Sequence, residues 1–307
     1  MSNSHDAAAR QASPLLWLIS GGVCISFAPI FVRLANVPPD IAGFYRLFFA
    51  AVSLVAVLYM RGEMQRLPRG PALLLVASGS FLAIDFMCWH RSIHLVGPGF
   101  STLLANFQVF FTALFAWLLF REKVTRMFVL AICMALFGLT FITGLDWSML
   151  SSGVRSGIIF GLLAAVCYSG YLLFLKESMK ENVVSGMSVM LVVSVSGSIV
   201  LGVVGLATGA SFAIPDIGSL LALLGIGVLS TTVGWSIISS AVRHVPATVA
   251  GLVLLLQPAL AFVWDVMIFD RLAFARPSYQ VLVIGHQLLE IIHPVFSVSR
   301  KALFGFC

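Results

Sequence analysis

Residues 71–94 read PALLLVASGSFLAIDFMCWHRSIH, and the first fourteen of them carry no charge. An apolar run close to the roughly 20 residues needed to cross a bilayer reads as a transmembrane helix. It places a carboxylate, Asp85, at membrane depth. The fold depends on whether the rest of the chain repeats this pattern.

The composition says that it does. The 307 residues are 60% hydrophobic and 10% charged with a mean hydropathy of +1.05, far more apolar surface than a soluble domain can bury. Lipid is therefore the expected solvent. The net charge of +6 is spread between apolar runs and is not gathered with aromatics on one stripe, so no nucleic-acid partner is expected. Cys24, Cys88, Cys133, Cys167 and Cys307 stand alone without metal-ligand spacing, and no metal or cofactor is expected. A polar segment of about a dozen residues precedes the first run without a basic n-region or cleavage site, so that run is expected to be retained.

Ten candidate spans follow along the chain: about 14–33, 41–60, 71–92, 98–120, 127–145, 156–176, 185–207, 217–240, 246–268 and 278–297. Backbone groups in hydrocarbon must be satisfied internally, so spans of this length are helices and a barrel is excluded. The expected fold is an all-α integral membrane protein of ten transmembrane helices in two inverted five-helix repeats. Its parts are a cytoplasmic tail (1–13), a first repeat (14–145), a linker (146–155), a second repeat (156–297) and a C-terminal tail (298–307).

Orientation comes from Lys and Arg. One side of the membrane collects Arg10, Arg61, Arg66, Arg69, Arg121, Lys123, Arg126, Lys176, Lys180, Arg243, Arg300 and Lys301. The other has only Arg33, Arg91, Arg155, Arg271 and Arg276. The positive-inside rule then puts both termini in the cytoplasm.

The repeat is visible in a weak alignment. Ser101–Glu122, STLLANFQVFFTALFAWLLFRE, set over Ala250–Arg271, AGLVLLLQPALAFVWDVMIFDR, aligns Gln108 with Gln257 and Phe120 with Phe269. Cys24 and Arg33 likewise fall opposite Cys167 and Lys176. An odd-numbered unit repeated in tandem must insert its second copy upside down, which is an architecture of secondary transporters.

The ten spans, FYRLFFAA (Phe44–Ala51), LLFREK (Leu118–Lys123) and LLLQPALAFVWDVMIFDR (Leu254–Arg271) resemble the EamA-type drug/metabolite transporters over about residues 14–275. Within that family the chain is most similar to YddG-like bacterial amino acid exporters. The resemblance implies a bacterial inner-membrane location and a central cavity lined by spans one to four and six to nine. It also implies alternating access by rocking of the halves. Two departures stand out. Val109 replaces the proline found in the other repeat at Pro258, and the last segment carries His286, Glu290 and His293 where the fifth span is uniformly apolar. An altered C-terminus accounts for these three better than a metal site.

Candidate site residues follow from polarity at depth. A carboxylate there costs roughly 2.5–3.5 kcal/mol on insertion scales unless it faces a cavity or a partner. Asp85 is thus a candidate for proton coupling or for contact with a substrate ammonium, and Trp89 shares its helix face at i+4 and would look into the same pocket. Asp85 reads equally well as a structural acid bonded to a neighbouring helix. Arg46 is the basic residue well inside a span; a guanidinium keeps its proton, so it needs an anion, a cavity or an interface. Structural pairing is the favoured reading for Arg46, with a substrate carboxylate second, and a structural role is favoured for Asp265.

The eighth span aligns Thr232, Ser236, Ser239 and Ser240 on one face, suited to helix packing or a wet cavity alike. Gln108 and Gln257 are repeat-related amides near the midplane and are candidate pocket residues, with Asn106 close by. Trp17, Tyr45, Tyr168, Tyr171, Trp235 and Trp264 offer aromatic rings with polar handles, suited to interfacial belts or to an aromatic or hydrophobic side chain. Pro29, Pro98, Gly234 and Pro258 are the expected gating positions, with Gly97 and Gly197 also able to permit kinks or close helix approach.

The sequence therefore points to a monomeric secondary transporter, not an enzyme, that exports small amphipathic metabolites such as amino acids and draws on protons or a downhill gradient. ATP is not the direct energy source, because no GxxxxGK[ST] motif is present. Organic phosphates, nucleotide sugars or drugs are the alternative cargo, and a lipid-modifying membrane enzyme is the alternative from another class.

Overall fold

The computed structural model describes residues 2–65, 67–120, 150–179, 185–241, 245 and 256–269, and every regular element among them is helical. The first half contributes α1 (Ser2–Ser26), α2 (Ala28–Leu34), α3 (Pro39–Met60), α4 (Arg69–Val96), α5 (Pro98–Ala105) and α6 (Gln108–Phe120). The second contributes α7 (Ser152–Ser178), α8 (Gly186–Ala207), α9 (Ile217–Leu224), a π-helical stretch (Gly225–Gly234), α10 (Trp235–Ala241) and α11 (Leu256–Phe269).

Seven candidate membrane spans arise from these elements: Pro14–Leu34, Pro39–Met60, Arg69–Val96, Pro98–Phe115, Ser152–Ser178, Gly186–Ala207 and Ile217–Ile238. They coincide with the first four and the sixth to eighth expected spans. The fifth (127–145), the tenth (278–297) and the opening of the ninth lie outside the described residues, as do Cys133, His286, Glu290, His293 and Cys307.

Local sequence explains where the helices break. Phe27 forms a turn between α1 and α2, and Pro29 follows in the first turn of α2, where its missing N–H costs nothing. Gly97 adopts φ 95°, a conformation open to glycine, and Pro98 then starts α5 where a missing N–H costs nothing. The chain thus reverses at the end of α4 within two residues.

The bundle is held by contacts between the two halves. The most extensive joins α4 to α7; α3 and α4 both pack on α8, and α5 and α6 pack on α7. The π-helical stretch lies against α1 and α3, α10 against α1, and α11 against α1 and α5. Close approach of α4 and α8 depends on glycine. A Cβ at Gly79 would stand 2.6 Å from the Val193 carbonyl oxygen, and one at Gly197 would stand 2.9 Å from the Gly79 carbonyl oxygen. The core of the packed region includes Leu47, Leu82, Phe86, Trp89, Tyr171, Val193 and Leu201. Outward positions such as Val55, Leu73, Ile199, Val203 and Leu206 are exposed and apolar, the pattern that acyl chains require.

Candidate functional site

The buried stripe of α3 includes Arg46 beside Ala42, Gly43, Leu47 and Ala50. Helical periodicity leaves the guanidinium no route along its own helix to water, and only 6% of the residue is exposed. Its Nε donates to Thr231 Oγ1 at 3.1 Å, across 185 residues of chain. The guanidinium carbon lies 4.0 Å from the centre of the Phe86 ring and 5.4 Å from that of Trp89. Desolvated cation–π contacts of this kind contribute about 2 kcal/mol. They still leave one edge of the fork unused, since Nη1 is buried without a hydrogen-bond partner.

Asp85 and Trp89 project from α4 one turn apart, and both are buried. Asp85 is within electrostatic reach of Arg46, yet the two do not close to a 4.0 Å ion pair. The Trp89 Nε1 donor is also buried without a partner. Next to it, the His90 ring stacks on Phe86 with 5.5 Å between centroids, and its Nδ1 donates to the Pro39 carbonyl at 2.9 Å. From α7, Tyr168 and Tyr171 complete the wall with rings 5.1 Å apart, both within electrostatic reach of Arg46. Four elements thus converge: α3, α4, α7 and the π-helical stretch.

That stretch is where the eighth span departs from ordinary helix. Its hydroxyls bond five residues back, Thr231 to the Ile226 carbonyl at 2.8 Å and Thr232 to that of Gly227 at 3.3 Å. π-Helical geometry is rare, and π-bulges within α-helices are frequent at functional sites. Thr232 also lies 2.7 Å from Ser53, tying α3 to the stretch a second time.

The other candidates lie apart from this cluster. The Tyr45 hydroxyl donates to the Phe212 carbonyl at 2.6 Å, and its ring stacks on Phe49. Trp17 is 58% exposed on α1. Trp235 packs with Leu18, Ile25 and Ile238 between α1 and α10. Gln108 opens α6, where its carbonyl accepts from Ser169 of α7 at 2.9 Å. Gln257 and Pro258 lie in the first turn of α11. Of the expected gating positions, Pro29 and Pro98 sit at helix breaks and Gly234 ends the π-helical stretch.

A second polar constellation gathers where α4 ends. Asp40 and Arg91 form a two-pronged ion pair at 2.6 and 2.7 Å, with Arg91 also donating to the Met87 carbonyl. Arg33 Nη1 lies 3.2 Å from His94 Nδ1. Asp265 of α11 accepts from the Gly99 backbone N–H at the start of α5, 3.0 Å away, and the Trp264 Nε1 donates to Ser26 Oγ at 2.9 Å. Sequence reading missed Thr231, Phe86 and Asp40. A buried arginine signals that an acceptor must exist, but not which of the hydroxyls along the chain supplies it.

The EamA-like transporter family model matches the sequence twice, over residues 12–144 and 155–274. One solved crystal structure covers 95% of this chain and 99% of its own with a TM-score of 0.64, at 15% identity, a likeness of fold. No curated protein matches. The chain belongs to the EamA-like transporter family.

Proposed function

We propose that this family member is a secondary transporter that exports small amphipathic metabolites, chiefly amino acids with aromatic or hydrophobic side chains, by alternating access. The observation that carries the reading is the Arg46, Asp85 and Trp89 cluster: one fixed cation, one carboxylate and two aromatic faces, buried among helices from both halves of the chain. Such a set suits a solute with separated charges and an apolar body. It suits organic phosphates and nucleotide sugars less well, because Arg46 is the one cation beside Asp85 among the described residues. Tyr168 and Tyr171 extend the wall, Gln108 and Gln257 occupy repeat-related places, and Asp85 is the proton-coupling group. Flexing occurs at Pro29, Pro98, Gly234 and Pro258.

The architecture we propose is ten helices in two inverted repeats, 14–145 and 156–297, with both termini in the cytoplasm of a bacterial inner membrane. Two observations support it. The family match comes as two successive blocks. The contacts between halves also exchange onto one another when each span is moved by five: third on sixth corresponds to eighth on first, and third on seventh to eighth on second. Fourth on sixth likewise corresponds to ninth on first.

Counterflow in proteoliposomes tests the function. A carrier loaded inside with unlabelled L-phenylalanine or L-leucine accelerates entry of the labelled amino acid. Uptake indifferent to internal substrate across a panel of amino acids would overturn the proposal.

A further inference from the structure

We infer that Arg46 and Trp89 form the subsite for the carboxylate of the transported solute, and that Thr231 sets the guanidinium in place for it. The inference rests on the transport reading and adds the chemistry of recognition. Arg46 Nη1 and Trp89 Nε1 are two buried donors on neighbouring helices, and neither has a partner. Elsewhere the guanidinium is held by Nε on Thr231 and by its plane against Phe86, which fixes the direction in which Nη1 is offered.

A buried donor without a partner costs about 1–3 kcal/mol. Two of them beside one cation are satisfied together by an acceptor group with two oxygens and a negative charge, through charge-assisted hydrogen bonds. Asp85 does not fill this role, as it stands outside ion-pair distance of Arg46. Its presence favours a monoanion over a phosphate dianion, which would face the carboxylate with one guanidinium to neutralise it.

Thr231 is the positioning residue. Its hydroxyl donates to the Ile226 carbonyl at 2.8 Å, which leaves a lone pair to accept from Arg46 Nε. The five-residue offset of the π-helical turn provides that carbonyl, which ties the shape of the eighth span to the aim of an arginine on the second.

The test uses the full-length protein in lipid nanodiscs, with thermal shift read for L-phenylalanine, L-leucine and 3-phenylpropionate against the amides of the same three acids. The acids should bind at least about tenfold more tightly than their amides, the loss expected from one charge-assisted hydrogen bond. Arg46→Gln and Trp89→Phe should each shrink that preference. Thr231→Val should shrink it too and Thr231→Ser should restore it, a rescue that a merely structural threonine would not show.

Equal binding of acids and amides, absence of binding by any acid, or a full acid preference in Trp89→Phe and Thr231→Val would overturn the subsite. Counterflow with the same compounds separates this inference from the transport reading. Amides that trans-stimulate as well as acids would overturn the subsite alone. Acids that bind selectively and never trans-stimulate would support the subsite and overturn transport.

Discussion

Replacing Gly79 with alanine tests the helix crossing that positions the site. The added Cβ would stand 2.6 Å from the Val193 carbonyl oxygen and 3.2 Å from the Gly197 nitrogen, and it would overlap the Ser196 hydroxyl. Two of these neighbours are backbone atoms of α8, which cannot rotate away as a side chain can. Ordinary contact begins near 3.4 Å, so α4 and α8 must separate by about 0.8 Å (3.4 minus 2.6). Overpacking of this kind costs roughly 1–3 kcal/mol. The internal control is Gly70, on the same helix, where an added Cβ meets nothing within 4 Å. Gly70→Ala should be neutral or stabilising by up to about 1 kcal/mol, because alanine loses less conformational entropy in a helix. The assay is the apparent melting temperature of each variant in one lipid nanodisc preparation. Gly79→Ala should melt several degrees below wild type and Gly70→Ala at or above it. Equal melting of the two variants would refute the packing argument.

Further outcomes follow from the polar contacts. Asp85→Asn should abolish any dependence of counterflow on a pH gradient, and full retention of the gradient response would remove Asp85 from proton coupling. The Asp40–Arg91 pair, partly open to solvent on the arginine side, should show a coupling of about 1 kcal/mol between Asp40→Asn and Arg91→Gln in a double-mutant cycle, nearer the surface than the buried limit; strict additivity would count against it. Asp216 caps α9, and hydrogen bonds from the Ser219 backbone and hydroxyl hold its carboxyl below the usual range. A depressed folded value means that its stabilisation is complete above the ordinary aspartate range near 4 and fades as pH falls through the folded value. Asp216→Asn should therefore lose that acid-sensitive component of melting, and an unchanged acid limb would contradict the cap.

The bilayer makes much of this chain readable in advance. A span must satisfy its own backbone and present apolar side chains, so hydropathy alone located the spans that the structure describes. Asp85 and Trp89 were paired by helical spacing, a local property. Other features depend on residues far apart in sequence. The Arg46 contact to Thr231 spans 185 residues and that of Asp265 to Gly99 spans 166. No periodicity encodes either. The π-helical stretch is similarly illegible, because GIGVLSTTVG has the composition of an ordinary apolar helix. Aromatic residues are ambiguous for a different reason: Trp17 and Trp89 both sit in apolar runs, yet one faces outward and the other the core. A ring with a polar handle suits a lipid interface as well as a cavity.

The central claim is that equivalent loops of the two halves emerge on opposite faces of the membrane. The loop after α3 contains Glu63, and the loop after α8, its counterpart in the second half, contains Ser211. With Cys24, Cys88, Cys133, Cys167 and Cys307 replaced by serine, Glu63→Cys and Ser211→Cys can each be exposed to a membrane-impermeant maleimide in intact cells. The account predicts labelling of Ser211→Cys from outside and of Glu63→Cys only after permeabilisation. Labelling of both from the same side would contradict it.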